Sequence, residues 1–144
     1  MLEIGLDPGV KTGYAEWDDA TGQLIEVETL KVHQAMQRIS DHFAAGRITR
    51  VVFEDARQRR WFGGRDRNQA KYGAGVREGA GSIKRDCTIL EDFLTDLGVT
   101  FSARPPAAGA TKWDSAYFAR VTGWKGRTST HSRDAALLVY RGRA

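Results

Sequence analysis

Cysteine is all but missing from this 144-residue chain. Cys87 stands alone, so no internal disulfide forms, which agrees with a reducing compartment. Long hydrophobic runs are missing too. Nothing approaches the roughly 20 apolar residues of a membrane span, and no basic segment leading into an apolar one opens the chain. Neither a membrane anchor nor a secretory leader is expected, and the expected setting is the cytoplasm. No low-complexity tract and no internal repeat appear. The length suits one domain over residues 1–144, able to bury a core without staples.

Acidic residues are scarce in the second part of the chain. Residues 1–46 hold three Lys/Arg against eight Asp/Glu, and residues 47–144 hold nineteen against ten. The net +4 therefore divides into −5 and +9. Such asymmetry favours a polyanionic partner on one side of the fold.

Alternation of apolar with other residues predicts strands over 2–7, 12–17 and 24–30, joined by the turn Pro8-Gly9 and by a hairpin turn over 18–22. In the third strand strict alternation would set Leu24, Glu26, Glu28 and Leu30 on one face and Ile25, Val27 and Thr29 on the other. Val32, Ala35, Met36, Ile39 and Phe43 recur at helical spacing, predicting a helix over 32–45 stopped by Gly46. A fourth strand follows over 50–55. Residues 57–81, rich in Gly and Arg, read as a long loop leading into a helix. That helix carries the stripe Ile83, Cys87, Leu90, Phe93 or Leu94, and Leu97, and Gly98 ends it. A fifth strand over 99–103 stops at Pro105-Pro106. A helix over 111–122 and a last helix capped by Ser129 or Thr130 and running to about Tyr140 complete the chain. The expected class is a mixed α/β sheet with antiparallel strands first.

Four residues are candidates for chemistry. Asp7 ends the first strand just before a turn, a place where an aspartate often bonds its own backbone. Glu54 ends the apolar run Val51-Val52-Phe53, where a half-buried carboxylate needs a partner or a metal. Asp55 points to the other face of that strand and is the weaker candidate. His131 and Asp134 are three apart at the start of an apolar helix and share one face, though each also suits a cap or a first-turn acid. Gathered at one point, three carboxylates and an imidazole form a hard-ligand set suited to Mg²⁺ or Mn²⁺. Two such ions about 3.5–4 Å apart clamp the attacking and leaving oxygens of a phosphodiester.

Ile4-Gly5-Leu6-Asp7-Pro8-Gly9, with Thr12-Gly13-Tyr14-Ala15, resembles the first strand and turn of RuvC-type Holliday junction resolvases, members of the RNase H-like superfamily. Val51-Val52-Phe53-Glu54 is similar to the strand carrying that family's glutamate. His131-Ser132-Arg133-Asp134-Ala135-Ala136 is similar to its last helix, where an Asp or His precedes a second Asp by three. The resemblance spans nearly the whole chain. It implies an RNase H-like fold and metal ligation by Asp7, Glu54, His131 and Asp134. It also implies a homodimer that resolves four-way DNA junctions by paired nicks, leaving a 5′ phosphate and a 3′ hydroxyl. Lys112 is similar to the family's lysine near the scissile phosphate. The chain is shorter than typical bacterial members, which points to a version carried by a phage or another mobile element.

One departure bears on the substrate. Residues 57–71 pack six basic residues, one acid and two adjacent aromatics into fifteen positions. Arg57, Arg59, Arg60, Arg65, Arg67 and Lys71 are candidates for phosphate contact, as are Lys125 and Arg127 before the last helix. In the resembled family an aromatic in this loop wedges into the junction centre, a role open to Trp61 or Phe62. The family's usual substrate preference is therefore not carried over. Gly73, Gly75, Gly79 and Gly81 do not have the spacing of a phosphate-binding loop, so no nucleotide cofactor is expected. Small residues there would let helices pack closely, and the resembled family forms its dimer along the corresponding helix. Rival readings are a nuclease for flaps, forks or RNA–DNA hybrids and a junction binder that does not cut. An actin-like ATPase needs two such domains, more than this chain supplies.

Overall fold

The sheet grows outward from β1 (Leu2–Asp7), whose six residues are all buried. In the computed structural model, which describes residues 1–58, 74–106 and 112–142, β1 pairs antiparallel with β2 (Thr12–Asp18). β2 pairs antiparallel with β3 (Gln23–Leu30). On its other side β1 runs parallel to β4 (Ile48–Glu54), and β4 runs parallel to β5 (Phe101–Arg104). The order is β3-β2-β1-β4-β5, the mixed five-stranded sheet expected from the sequence. Among the described residues four α-helices accompany it: α1 (Val32–Ala44), α2 (Ala74–Leu97), α3 (Ser115–Thr122) and α4 (Thr130–Val139). Among the described residues no helix is long and apolar enough to cross a membrane.

A central strand buried on both faces needs cover on each. Ile4, Leu6, Tyr14, Val51 and Phe53 turn to one face and pack with Ala35 and Ile39 of α1 and Cys87, Leu90 and Leu94 of α2. Ala15, Trp17, Val27 and Val52 turn to the other and pack with Phe118 of α3 and Ala135, Ala136 and Val139 of α4. The parity of β4 follows: Val52 and Glu54 face α4, and Val51 and Phe53 face α1 and α2.

Several local expectations change. A bulge skips Ile25, so that Trp17 pairs with Leu24 while Glu16 pairs with Glu26. The extra residue reverses the alternation, and Leu24 joins Val27 on the α4 face. α1 ends at Ala44, with Gly46 in the left-handed region at φ 70° just beyond. β4 covers residues 48–54 rather than 50–55, and β5 starts two residues later than expected. α2 begins at Ala74, so Gly75, Gly79 and Gly81 belong to a helix, while residues 59–73 of the expected loop lie outside the described residues. Burial of Cys87, Leu90 and Leu94 anchors that helix, and tertiary packing overrides weak local propensity. The stripe thus serves the chain's own core from Cys87 onward, while Ile83 stays exposed. A Cβ added at Gly79 or Gly81 meets nothing within 4 Å, so the close helix packing expected there is not found among the described residues. Asp114 caps α3 by accepting from the Tyr117 amide at 2.8 Å. The helix therefore starts at Ser115, and Lys112 precedes it instead of opening it.

Candidate functional site

Parallel pairing sets the ends of β1 and β4 side by side. Leu6 pairs with Phe53, so Asp7 and Glu54 are the next residues of their strands, on the face that α4 covers. α4 is capped at this end. The Ser132 amide donates to Ser129 Oγ at 3.1 Å, and the Ser129 amide donates to Ser132 Oγ at 2.8 Å. This reciprocal cap fixes the first turn, and that turn carries His131 and Asp134.

Two glycines set how closely α4 approaches. A Cβ on Gly5 would come under 3.0 Å from the Ala135 carbonyl oxygen, and a Cβ on Gly13 would do the same to the His131 carbonyl oxygen. Real Cβ atoms essentially never stand so close. Gly13 pairs with Asp7 and Gly5 with Ala15 across β1 and β2, so both glycines share the face of Asp7. The helix backbone rests on bare strand backbone, and the His131 ring is brought to the end of β1. In the sequence both glycines stand only as members of a motif, and this role shows only with α4 in place. The usable signal is their shared parity with Asp7.

The site residues form two linked pairs. His131 Nδ1 lies 3.2 Å from Asp7 Oδ2, and Lys112 Nζ donates to Asp134 Oδ2 at 2.6 Å. Asp7 is buried, whereas half of the His131 side chain is exposed. Burial raises the Asp7 carboxyl above its ordinary 3.8, the His131 hydrogen bond pulls it down, and the Asp134 charge raises it again. Lys112 is held above its ordinary 10.5, first by its bond to Asp134 and further by the charges of Asp134, Asp7 and Glu54. The charges of all three carboxylates thus bear on one ammonium. Among the described residues no group of three or more His, Cys, Asp or Glu side chains stands close enough to hold a metal ion. The hard oxygen donors fit a divalent cation by their chemistry, with the Lys112 ammonium now supplying positive charge beside Asp134.

The expected DNA contacts divide. Arg59, Arg60, Trp61, Phe62, Arg65, Arg67 and Lys71 lie outside the described residues. Lys125 and Arg127 are exposed and border a hollow of about 350 Å³ beside α3. Arg57 has a structural job instead. Its Nε and Nη2 donate to the two Asp55 oxygens at 2.8 and 2.9 Å, and Nη2 also donates to Glu91 of α2 at 2.6 Å. Asp55 is buried on the α2 side, as the parity of β4 requires. These contacts engage the guanidinium with two carboxylates.

Arg57 holds the Asp55 carboxyl below its ordinary 3.8. A depressed carboxylate contributes stability that is present above the unfolded value and is lost as pH falls through the folded one. Arg57→Ala is predicted to cost about 2 kcal/mol at neutral pH, with the difference from wild type shrinking below pH 3.8. Urea denaturation across pH checks this. A variant as stable as wild type at neutral pH would show that the pair contributes nothing.

No protein-family model matches this chain, and no curated protein matches it. Solved structures do. The Thermus thermophilus RuvC in complex with Holliday junction substrate superposes with a TM-score of 0.63 at 17% identity, covering 97% of this chain and 91% of that one. A Thermus thermophilus RuvC structure gives 0.55 at 17% identity, over 96% and 92%. Fowlpox virus resolvase in complex with its substrate Holliday junction DNA gives a looser 0.39 at 14% identity, over 78% and 66%. The likeness to the two RuvC structures is one of fold, and the chain adopts the RuvC-like, RNase H-like fold.

Proposed function

We propose that the chain is a metal-dependent endonuclease that nicks four-way DNA junctions. The observation that carries this is the pairing of His131 with Asp7 and of Lys112 with Asp134 at one end of a RuvC-like sheet, where the charge of Glu54 also reaches Lys112. Asp7, Glu54, His131 and Asp134 would hold a pair of Mg²⁺ or Mn²⁺ ions, which supply Lewis acidity toward the phosphodiester and a water of lowered pKa. The chain's own residues prepare the place. Burial keeps the Asp7 carboxylate away from bulk water, and His131 orients its Oδ2. Gly5 and Gly13 set the distance of α4. Lys112, two-thirds exposed at its side chain, is free to swing from Asp134 to a phosphate oxygen. Lys125, Arg127 and the arginines of residues 59–67 are the phosphate contacts of this reading, and Trp61 or Phe62 its wedge. A junction presents two strands to cut symmetrically, which favours a twofold dimer.

A second reading, binding without cutting, draws on one observation. Asp7 and Asp134 are bonded to His131 and Lys112. The substrate is tested on labelled four-way junctions, forks and RNA–DNA hybrids in Mg²⁺ and in Mn²⁺. The prediction is preferential cutting of the junction. Strong cutting of a hybrid with weak cutting of the junction would overturn the substrate, though not the nuclease.

A further inference from the structure

A second surface adjoins the site and shares Lys112 with it. Lys112, Trp113, Asp114, Ala116, Tyr117 and Arg120 line a groove of about 490 Å³, within the roughly 300–1,000 Å³ typical of ligand clefts. Trp113 meets Tyr117 edge to face, with ring centroids 4.7 Å apart at 76°. The Arg120 guanidinium lies 5.2 Å from the centre of the Tyr117 ring. Trp113 is half-buried, with its inner side against the core, while Tyr117 and Arg120 are exposed. The only acid among the described residues lining the groove, Asp114, spends an oxygen on the Tyr117 amide. Two cations and two aromatics are left facing outward.

Two contacts from consecutive residues of α4 tie this groove to the candidate catalytic end. Arg133 Nε donates to the Trp113 carbonyl at 2.9 Å, and Asp134 accepts from Lys112 at 2.6 Å. Whatever lies in the groove therefore lies next to whatever Lys112 touches. Flat aromatics beside cations are the chemistry that takes nucleic-acid strands: bases stack on the rings, and the cations meet phosphates.

We infer that the groove of Trp113, Tyr117 and Arg120 binds an unpaired nucleotide of the DNA strand next to the scissile phosphate. The inference rests on the nuclease reading for its substrate, and its test does not require cutting. The base lies against the Trp113–Tyr117 surface, and Arg120 meets a phosphate of the same strand. A pairing-free nucleotide is selected because a base within a duplex has no face to offer. The site thereby favours branched or opened DNA.

The test uses the full chain carrying Asp7→Asn, without divalent ions. Its affinity is measured for a fluorescent oligothymidylate and for an abasic oligonucleotide of the same length. The expected result is tighter binding of the base-bearing strand by about tenfold, the scale of one stacked base. Tyr117→Ala should remove most of that preference, and Tyr117→Phe should keep it. Arg120→Ala should lower the slope of log affinity against log salt by about one for both strands. Trp113→Phe serves in place of an alanine variant, because Trp113 also packs on the core; it should keep the preference. Equal affinity of the parent for both strands, or an undiminished preference in Tyr117→Ala, would overturn the inference. Base preference in a protein that cuts no substrate would leave the groove standing and remove the nuclease. Cutting without base preference would do the reverse.

Discussion

Replacing Asp7 with Asn is expected to raise the melting temperature of the metal-free protein while lowering junction cutting by ~10³-fold, the scale of a single catalytic group. The two effects share one cause. Asp7 is buried, and its carboxyl is raised by that burial and by the nearby Asp134 charge. A raised carboxylate costs stability above its folded pKa, and the cost disappears as pH falls toward the unfolded value of 3.8. The amide keeps the shape and a hydrogen-bonding group for His131 without the charge. A gain of about 3 °C at neutral pH follows if roughly 1 kcal/mol is recovered. Divalent ions should then stabilise the wild type and not the variant, because an ion that binds only the folded state raises stability with its concentration. Thermal melts of both proteins with and without Mn²⁺ decide the matter. Equal metal-induced shifts in both would mean that Asp7 is not a ligand.

Gly13→Ala should be far more damaging than its one methyl suggests. The added carbon would run into the His131 carbonyl oxygen, which is backbone and has no rotamer to change. Either α4 lifts or the strand shifts. Lifting α4 gives up contacts of Ala135, Ala136 and Val139 with the sheet and carries His131 away from Asp7. The expected cost is about 3 kcal/mol, at the upper end for overpacking, against a total stability of roughly 5–15 kcal/mol for a domain. Gly79→Ala is the control. Gly79 is helical and its added Cβ meets nothing within 4 Å, so the same change there should stabilise by up to about 1 kcal/mol. Urea denaturation of the two variants reads the contrast directly. A Gly13→Ala protein as stable and as active as wild type would show that α4 does not rest where it is placed.

Much of this was legible in the sequence because it rests on periodicity and order. The parity of Val51-Val52-Phe53-Glu54 separated Glu54 from Asp55 correctly, since alternate strand residues take opposite faces, and Asp55 does turn to Arg57 and α2. The spacing of His131 and Asp134 placed both in one helical turn. What escaped the sequence depends on contacts between distant segments. Arg57 reads as one more base in a basic run until Glu91, thirty-four residues on, claims it. The bulge at Ile25 leaves no mark in composition. The starts of α2 and α3 were misjudged, because the Cys87–Leu94 anchor and the Asp114 cap outweigh the local pattern. Trp113, Tyr117 and Arg120 share a helical face by spacing alone, but the ring and cation contacts that join them are visible only in the structure.

In the proposed function the end of β1 breaks phosphodiesters and does not merely bind them. A four-way junction labelled on each strand in turn, incubated with the wild-type chain in Mg²⁺ or Mn²⁺ and run on a denaturing gel, tests this most directly. The account predicts paired nicks with 5′-phosphate ends that vanish with a chelator. A junction bound tightly yet left intact in every divalent ion would contradict it.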